Sequence, residues 1–327
     1  MTIDEFKIEF KKSVSQNQNF IITIHKDPDG DAIGAQFALY LYLKHFQKNV
    51  RIFNPTIPYS EYAFLGLSEK VQTSISDYSN DIVFMLDFNE KKRAGEKVKN
   101  IFENCEKLIC IDHHKKTKDT IKGISFIDTN ASSVCEILYL LLKDEISELS
   151  AKQQEKFANC LYIGLIYDTN NFSNKNVSSK TFEVAKKLIN LGADNNLCSR
   201  NIFENRKTVE LKLLGLTLST LEEIKEKKLV YFITTQRMLK MCNAKMEHTR
   251  KFSKEVRTSE ERKVVIYFRE LDKNKYRVAL RSICIDVRKI AEKFGGGGHK
   301  LAAGFEAEME FTKLKSRLLE LINNERK

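Results

Sequence analysis

No stretch of this 327-residue chain approaches the ~18 consecutive apolar residues that span a membrane. The opening segment, MTIDEFKIEFKK, carries charge where a secretory leader needs an apolar core, so the chain is expected to be cytoplasmic and free of membrane. None of the seven cysteines forms a C-x-x-C pair, and their odd number and scatter argue against a disulfide framework or a thiolate zinc site. Buried reduced thiols are the better expectation. Only three prolines occur, all before residue 59, so proline marks no linker further along. Low-complexity runs are also missing. With 42% hydrophobic and 30% charged residues, the composition excludes a disordered tail. At roughly 100–200 residues per domain, the length predicts two domains.

The net charge of +11 sits at one end of the chain. Residues 1–200 hold 26 Lys+Arg against 26 Asp+Glu, whereas residues 201–327 hold 29 against 18. Two readings of that excess stay open on charge alone. It is either a lysine-rich solvated face or a surface that gathers anionic ligands such as phosphates.

Hydrophobic patterning predicts strands at Asn19–His25, Val50–Phe53, Asp81–Asp87 and Lys107–Asp112, with helices at Ala32–His45 and Glu90–Glu103. Helical patterns dominate from Ser132 to about Lys225, with a connection near Ser173–Ser179. Strand and helix in alternation predict an α/β fold, a parallel sheet with helices on both faces. From Lys228 the texture changes to strands at Leu229–Thr235, Lys263–Arg269 and Tyr276–Arg281, with helices near Val287–Phe294 and Thr312–Asn323. The expected organisation is a first domain over 1–205, a helical linker over 206–227 and a smaller α/β domain over 228–327.

Three predicted strands end in residues of metal-ligating type: His25-Lys-Asp27-Pro-Asp29-Gly-Asp31, then Asp87, then Asp112-His113-His114. Asp168 follows a further apolar run, Leu161–Tyr167. In an open parallel sheet ligands bind at the carboxyl edge, so the strand-end groups should converge there. Imidazole and carboxylate without thiolate suit a hard or borderline divalent ion. Each piece has an ordinary alternative: D-P-D-G is a good turn, and Asp87 could cap the next helix. The combination carries more weight, because four of the six histidines fall in these motifs and in a glycine-rich one at 294–304. His45 and His248 are expected to be structural or surface residues. The four glycines before His299 lack the Walker spacing, so they form either a flexible loop or a backbone platform that a ligand can approach closely.

The triplet Asp112-His113-His114 resembles the signature of the DHH phosphoesterases. His25-x-x-Pro28-Asp29-Gly30-Asp31-Ala32-x-Gly34 is similar to their first motif, Asp87 to their second and Gly164-Leu-x-x-Asp168-Thr169 to their fourth. Arg281-Ser282 and Phe294-Gly295 through Gly298-His299-Lys-Leu-Ala302-Ala303-Gly304 resemble the glycine-rich motif of the associated C-terminal domain. The resemblance runs from about residue 20 to 305 and is nearest to the short, stand-alone bacterial enzymes. Those act as nano-RNases and phosphatases of 3′-phosphoadenosine 5′-phosphate (pAp). Ala35 and Val134 depart from the usual Ser and Thr, which touches fine substrate contacts and no metal ligand.

The resemblance implies two divalent ions, Mn²⁺ with Mg²⁺ or Co²⁺ as alternatives, one on His25, Asp29 and Asp87 and the other on Asp31, Asp87, His113 and Asp168. Asp87 would bridge them and is the central catalytic carboxylate. Asp112 would orient its neighbours, and His114 would face the scissile phosphate. Arg281, Gly297, Gly298 and His299 would bind the substrate's far phosphate or terminal nucleotide. The implied substrates are short RNA oligonucleotides, linear dinucleotides such as pApA, and pAp; a homodimer is the oligomeric expectation. Two other readings compete with this one. A RecJ-like single-strand exonuclease would carry a further nucleic-acid-binding domain, and a non-catalytic nucleic-acid-binding protein would show strongly salt-dependent binding to long strands.

Overall fold

The computed structural model describes residues 1–256 and 258–325, and the chain divides into two units, Met1–Asn205 and Arg206–Lys327. The first is built on an all-parallel sheet of β1 (Asn19–Ile24), β2 (Asn49–Phe53), β3 (Val71–Gln72), β4 (Ile82–Leu86), β5 (Lys107–Asp112) and β6 (Ile124–Ile127). Their spatial order is β3-β2-β1-β4-β5-β6, so the direction of winding reverses between β1 and β4. The helices are α1 (Ile3–Gln16), α2 (Gly30–His45), α3 (Lys91–Ala94), α4 (Glu96–Asn104), α5 (Val134–Leu142), α6 (Ala151–Asp168), α7 (Ser179–Asn190) and α8 (Asn195–Ser199).

Alternate residues of a strand face opposite sides, and here both sides are apolar. Phe20, Ile22 and Ile24 of β1 join Ile82, Phe84 and Leu86 of β4 in the core shared with α1, α2, α5 and α6. Ile21, Val83, Met85 and Cys110 instead meet Ala94 of α3 and Val98 and Ile101 of α4. Helices therefore cover both faces, as the alternating pattern predicts. The expected helix over 90–103 is two helices, because Gly95 sits between them at φ +79° and breaks the run. α2 is buried on almost every side, and its one buried amide, Gln36, is satisfied by Asn54 and the Ile22 carbonyl.

The second unit carries a mixed sheet in the order β11-β12-β10-β9-β8-β7. Its strands are β7 (Glu222–Ile224), β8 (Leu229–Thr234), β9 (Val264–Asp272), β10 (Lys275–Ser282), β11 (Gly297–His299) and β12 (Ala302–Glu308), with only β8 and β9 parallel. α9 (Thr208–Leu218) and α10 (Gln236–Cys242) belong to one face, where Leu213 and Leu239 pack with Phe232 and Tyr267. α11 (Val287–Glu292) and α12 (Phe311–Glu325) cover the other, with Ile266 and Phe268. Residues 206–227, expected as a helical linker, thus contain α9 and the edge strand β7 and pack within this unit. The four glycines are likewise no bare loop: Gly297 and Gly298 pair with Gly304 and Ala303 of β12. All seven cysteines are free thiols. No helix among the described residues is long and apolar enough to cross a membrane.

Candidate metal centre

The ends of β1, β4 and β5 deliver the first unit's acidic and histidine groups, at the sheet's winding reversal where open α/β sheets bind ligands. His25 follows β1 directly. Asp29 caps α2, its Oδ1 accepting from the amides of Asp31 and Ala32 at 3.1 and 3.2 Å. The turn-forming and site-forming readings of D-P-D-G are therefore the same structure. Asp31, in the first turn of α2, is fully buried. Its carboxylate accepts from the first amides of α5, Val134 N at 2.6 Å and Cys135 N at 2.9 Å. A helix N-terminus stabilises such an anion.

Asp87 follows β4 at φ +64°, a left-handed conformation that Asp tolerates better than most residues. It caps no helix, since the residue preceding α3 is Glu90. Three groups of side chains close up around it, the ligand atoms of each lying within 4.8 Å of one another: His25, Asp29 and Asp87; Asp31, His113 and Asp168; and Asp87, His113 and His114. Asp87 Oδ2 lies 3.3 Å from His25 Nε2, and its Oδ1 lies 3.5 Å from both His113 Nε2 and His114 Nδ1. Asp168, at the end of α6 rather than of a strand, brings Oδ2 to 3.1 Å from His113 Nε2.

The electrostatics follow from packing four carboxylates against three imidazoles in a largely buried cluster. Burial pushes Asp31 well above the ordinary carboxylate range, and the charges of Asp87 and Asp168 push it further. Asp29 is raised for the same reasons. Burial would raise Asp87 too, but the surrounding imidazoles of His113, His25 and His114 hold it well below the usual range. For His113 burial works against the charged form, yet Asp168 and Asp87 carry its pKa up to about 12.

The donor atoms fit a metal ion on their own evidence. His25 Nε2, His113 Nε2 and Asp87 Oδ1 are buried without a hydrogen bond. Buried polar atoms are rarely left so. His113 Nδ1 lies 3.3 Å from the Ala131 carbonyl, a contact that turns Nε2 inward toward the carboxylates. Oxygen and imidazole donors without thiolate match a divalent ion of the hard or borderline kind.

Asp112 ends β5 and is wholly buried. Its Oδ1 accepts from the His113 and His114 amides at 2.8 and 3.2 Å and meets His114 Nδ1 at 2.8 Å, while Oδ2 accepts from Asn89 Nδ2 at 2.5 Å. Arg93 Nη1 lies 3.2 Å from His114 Nε2, so that imidazole is gripped at both nitrogens. Asn89 and Arg93 escape sequence reasoning, being ordinary polar residues in a charged stretch; only their position just after Asp87 could have singled them out.

The remaining expected site residues lie in the second unit. Arg281 is near the end of β10, its Nη1 donating to the Leu280 carbonyl at 2.9 Å. Gly297, Gly298 and His299 form the exposed edge strand β11. Gly298 stands at φ +139°, and a Cβ there would come within 2.6 Å of the Ala302 carbonyl oxygen, so glycine is required.

Residues 19–165 match the DHH family, N-terminal domain, and residues 227–325 match the DHHA1 domain. Over 288 residues the chain is 29% identical to the probable bifunctional oligoribonuclease and PAP phosphatase NrnA of Streptococcus mutans, covering 87% of this chain and 88% of that protein. It is 28% identical over 298 residues to the bifunctional oligoribonuclease and PAP phosphatase NrnA of Bacillus subtilis, covering 91% and 92%. Among solved structures, an exopolyphosphatase-related protein from Bacteroides fragilis shares the fold, with a TM-score of 0.89 at 22% identity over 99% of this chain and 98% of that one.

Proposed function

The chain belongs to the DHH family and carries a DHHA1 domain, and from that premise we propose that it hydrolyses very short RNA oligonucleotides to mononucleotides and dephosphorylates pAp to AMP. One observation carries the reading: two groups of buried and half-buried oxygen and imidazole donors meet at the single carboxylate of Asp87. The names of its relatives in Streptococcus mutans and Bacillus subtilis point the same way.

On this reading His25, Asp29 and Asp87 hold one divalent ion and Asp31, Asp87, His113 and Asp168 the other, with Mn²⁺ preferred over Mg²⁺ or Co²⁺. Such a pair supplies a nucleophile at neutral pH and offsets charge on the attacking and leaving oxygens. The chain's own residues do the rest. Asp112 orients both histidines of its triplet through three contacts, and Asn89 fixes Asp112 in turn. His114, gripped between Asp112 and Arg93, is assigned to the scissile phosphate. Arg281, the Gly297–Gly298 backbone and His299 are assigned to the substrate's far phosphate or terminal nucleotide. The enzyme would work in the cytoplasm as a homodimer, with linear dinucleotides such as pApA among its substrates.

Product analysis with Mn²⁺ tests the substrate class. We expect pAp, a 5′-phosphorylated RNA dinucleotide and a five-nucleotide RNA to give mononucleotides quickly, with a long single-stranded DNA nearly untouched. Degradation of the long DNA at an equal or greater rate replaces this reading with a RecJ-like exonuclease. Salt-sensitive binding of long strands with no metal-dependent turnover replaces it with a non-catalytic binding protein.

A further inference from the structure

Strand pairing sorts the side chains of the second sheet into rows. Arg269 of β9 stands opposite Arg277 of β10, which stands opposite Glu306 of β12. In the next row on the same face, Ala279 lies between Tyr267 and Gly304, and Gly304 pairs with Gly297 of β11. One row further, Arg281 pairs with Ala302, itself opposite His299. All three rows point to the side that bears Val265 and Tyr267. Two cationic rows thus flank a middle row that, beyond Tyr267, carries only a methyl group and hydrogens. A Cβ built on Gly297 would meet nothing within 4 Å, so the floor there is open.

Arg269 is the irregular member. Its Nε is buried without a hydrogen bond, and its guanidinium carbon lies 5.7 Å from the centre of the Tyr267 ring. Among the described residues no carboxylate pairs with it. The carboxylate in its row, Glu306, accepts from Arg277 Nε and Nη2 at 2.8 and 2.5 Å. Burial lowers the pKa of Arg269, and the neighbouring charges of Arg277 and Arg281 lower it further against the opposing effects of Tyr267 and Glu306. A guanidinium keeps its proton in a protein, so this is positive charge without adequate compensation. A phosphate would offer it paired, charge-assisted hydrogen bonds.

We propose that Arg269 and Arg277 form a phosphate subsite on this sheet face, distinct from Arg281 and His299, that takes an internal phosphate of a bound short RNA. The proposal rests on the short-RNA reading above and adds two residues outside every motif recognised in the sequence. It makes this face a length sensor, since only a substrate with a further phosphate reaches the second row.

The test is direct binding of a fluorescent 5′-phosphorylated RNA trinucleotide to the full chain in EDTA, across a salt series. Arg269→Met keeps an unbranched stem against Tyr267 and removes the charge. This change and Arg277→Met should each weaken binding by about tenfold. Each should also reduce the slope of log K against log salt by about 0.7, the worth of one single-strand phosphate contact. Glu306→Gln, which removes the competing carboxylate, should tighten binding. A merely structural Arg269 would leave the salt slope alone. Unchanged affinity and slope in both arginine variants overturn the subsite, as does a wild type that binds no RNA. Should Arg269→Met not fold by circular dichroism, the half-exposed Arg277 and Glu306 variants decide the matter. Cleavage of the same RNA with Mn²⁺ is scored separately. RNA bound with these slopes but left intact removes the hydrolase reading and keeps the subsite; RNA cleaved with unaltered slopes removes the subsite alone.

Discussion

Replacing Gly34 with alanine should destabilise the first unit and weaken its hold on metal together. Gly34 lies where α2 crosses α5 and α6, and a Cβ there would sit 2.2 Å from the Cys160 carbonyl oxygen and 3.2 Å from both Cys135 Sγ and Gly164 N. The first contact is more than about 1 Å inside van der Waals range. It is with helix backbone, which cannot swing aside as a side chain can. Overpacking of this kind costs about 1–3 kcal/mol, and a backbone clash belongs at the upper end. Better helix propensity returns about 1 kcal/mol. The net loss of about 2 kcal/mol lowers the melting temperature by roughly 4–8 °C for a unit of this size. Separating α2 from α6 also moves Asp29 and Asp31 on one helix away from Asp168 on the other, so Mn²⁺ should raise the melting point less than in wild type. Thermal unfolding by circular dichroism, with EDTA and then with Mn²⁺, reads both effects. Gly215→Ala is the control: that helical glycine is exposed and has nothing within 4 Å of an added Cβ. It should gain up to about 1 kcal/mol. A Gly34→Ala protein that melts at or above wild type refutes the packing argument.

Further predictions concern positioning, binding and thiol chemistry. Asp112→Asn presents an amide donor where Asp112 now accepts from His114 and Asn89; initial rates at saturating Mn²⁺ should fall by about 10–100-fold, and a change of less than about twofold would deny it a positioning role. His299→Ala should raise KM for short RNA with kcat largely kept, whereas an unchanged KM removes His299 from the substrate site. Burial pushes the thiols of Cys110 and Cys135 well up and that of Cys198 up to about 12, while Cys284 is exposed. A thiol reagent should therefore label Cys284 first and reach the other three only on unfolding, as peptide mapping by mass spectrometry can establish.

The strands that carry the site are plain in the sequence for a physical reason. β1, β4 and β5 are buried on both faces, so they read as unbroken apolar runs. A charged residue directly after such a run has to lie at the sheet's edge, as His25 and Asp87 do. Asp168 is harder to place: it resembles a strand end because α6 is apolar nearly all round over its last two turns. β11 is harder still, since glycine has little tendency to form strands and its extended form comes from pairing with β12. The stretch 206–227 reads as a charged helix with six leucines, and the sequence does not show that Leu213 and Leu214 are the ones that pack into a core. Asn89 and Arg93 have no compositional signal, because a positioning residue is defined by its partner and not by its type. Arg269 is the same case in the second unit, one arginine among many until its burial is known.

The most direct test of the account is pAp turnover measured against Mn²⁺ bound, by equilibrium dialysis, in the wild-type chain and in Asp87→Ala. Two groups of donors meeting at Asp87 predict two ions per wild-type chain, turnover that rises with their occupancy, and loss of both tight metal binding and turnover in the variant. Turnover that survives exhaustive chelation, or an Asp87→Ala chain that still binds two ions and hydrolyses pAp, would contradict it.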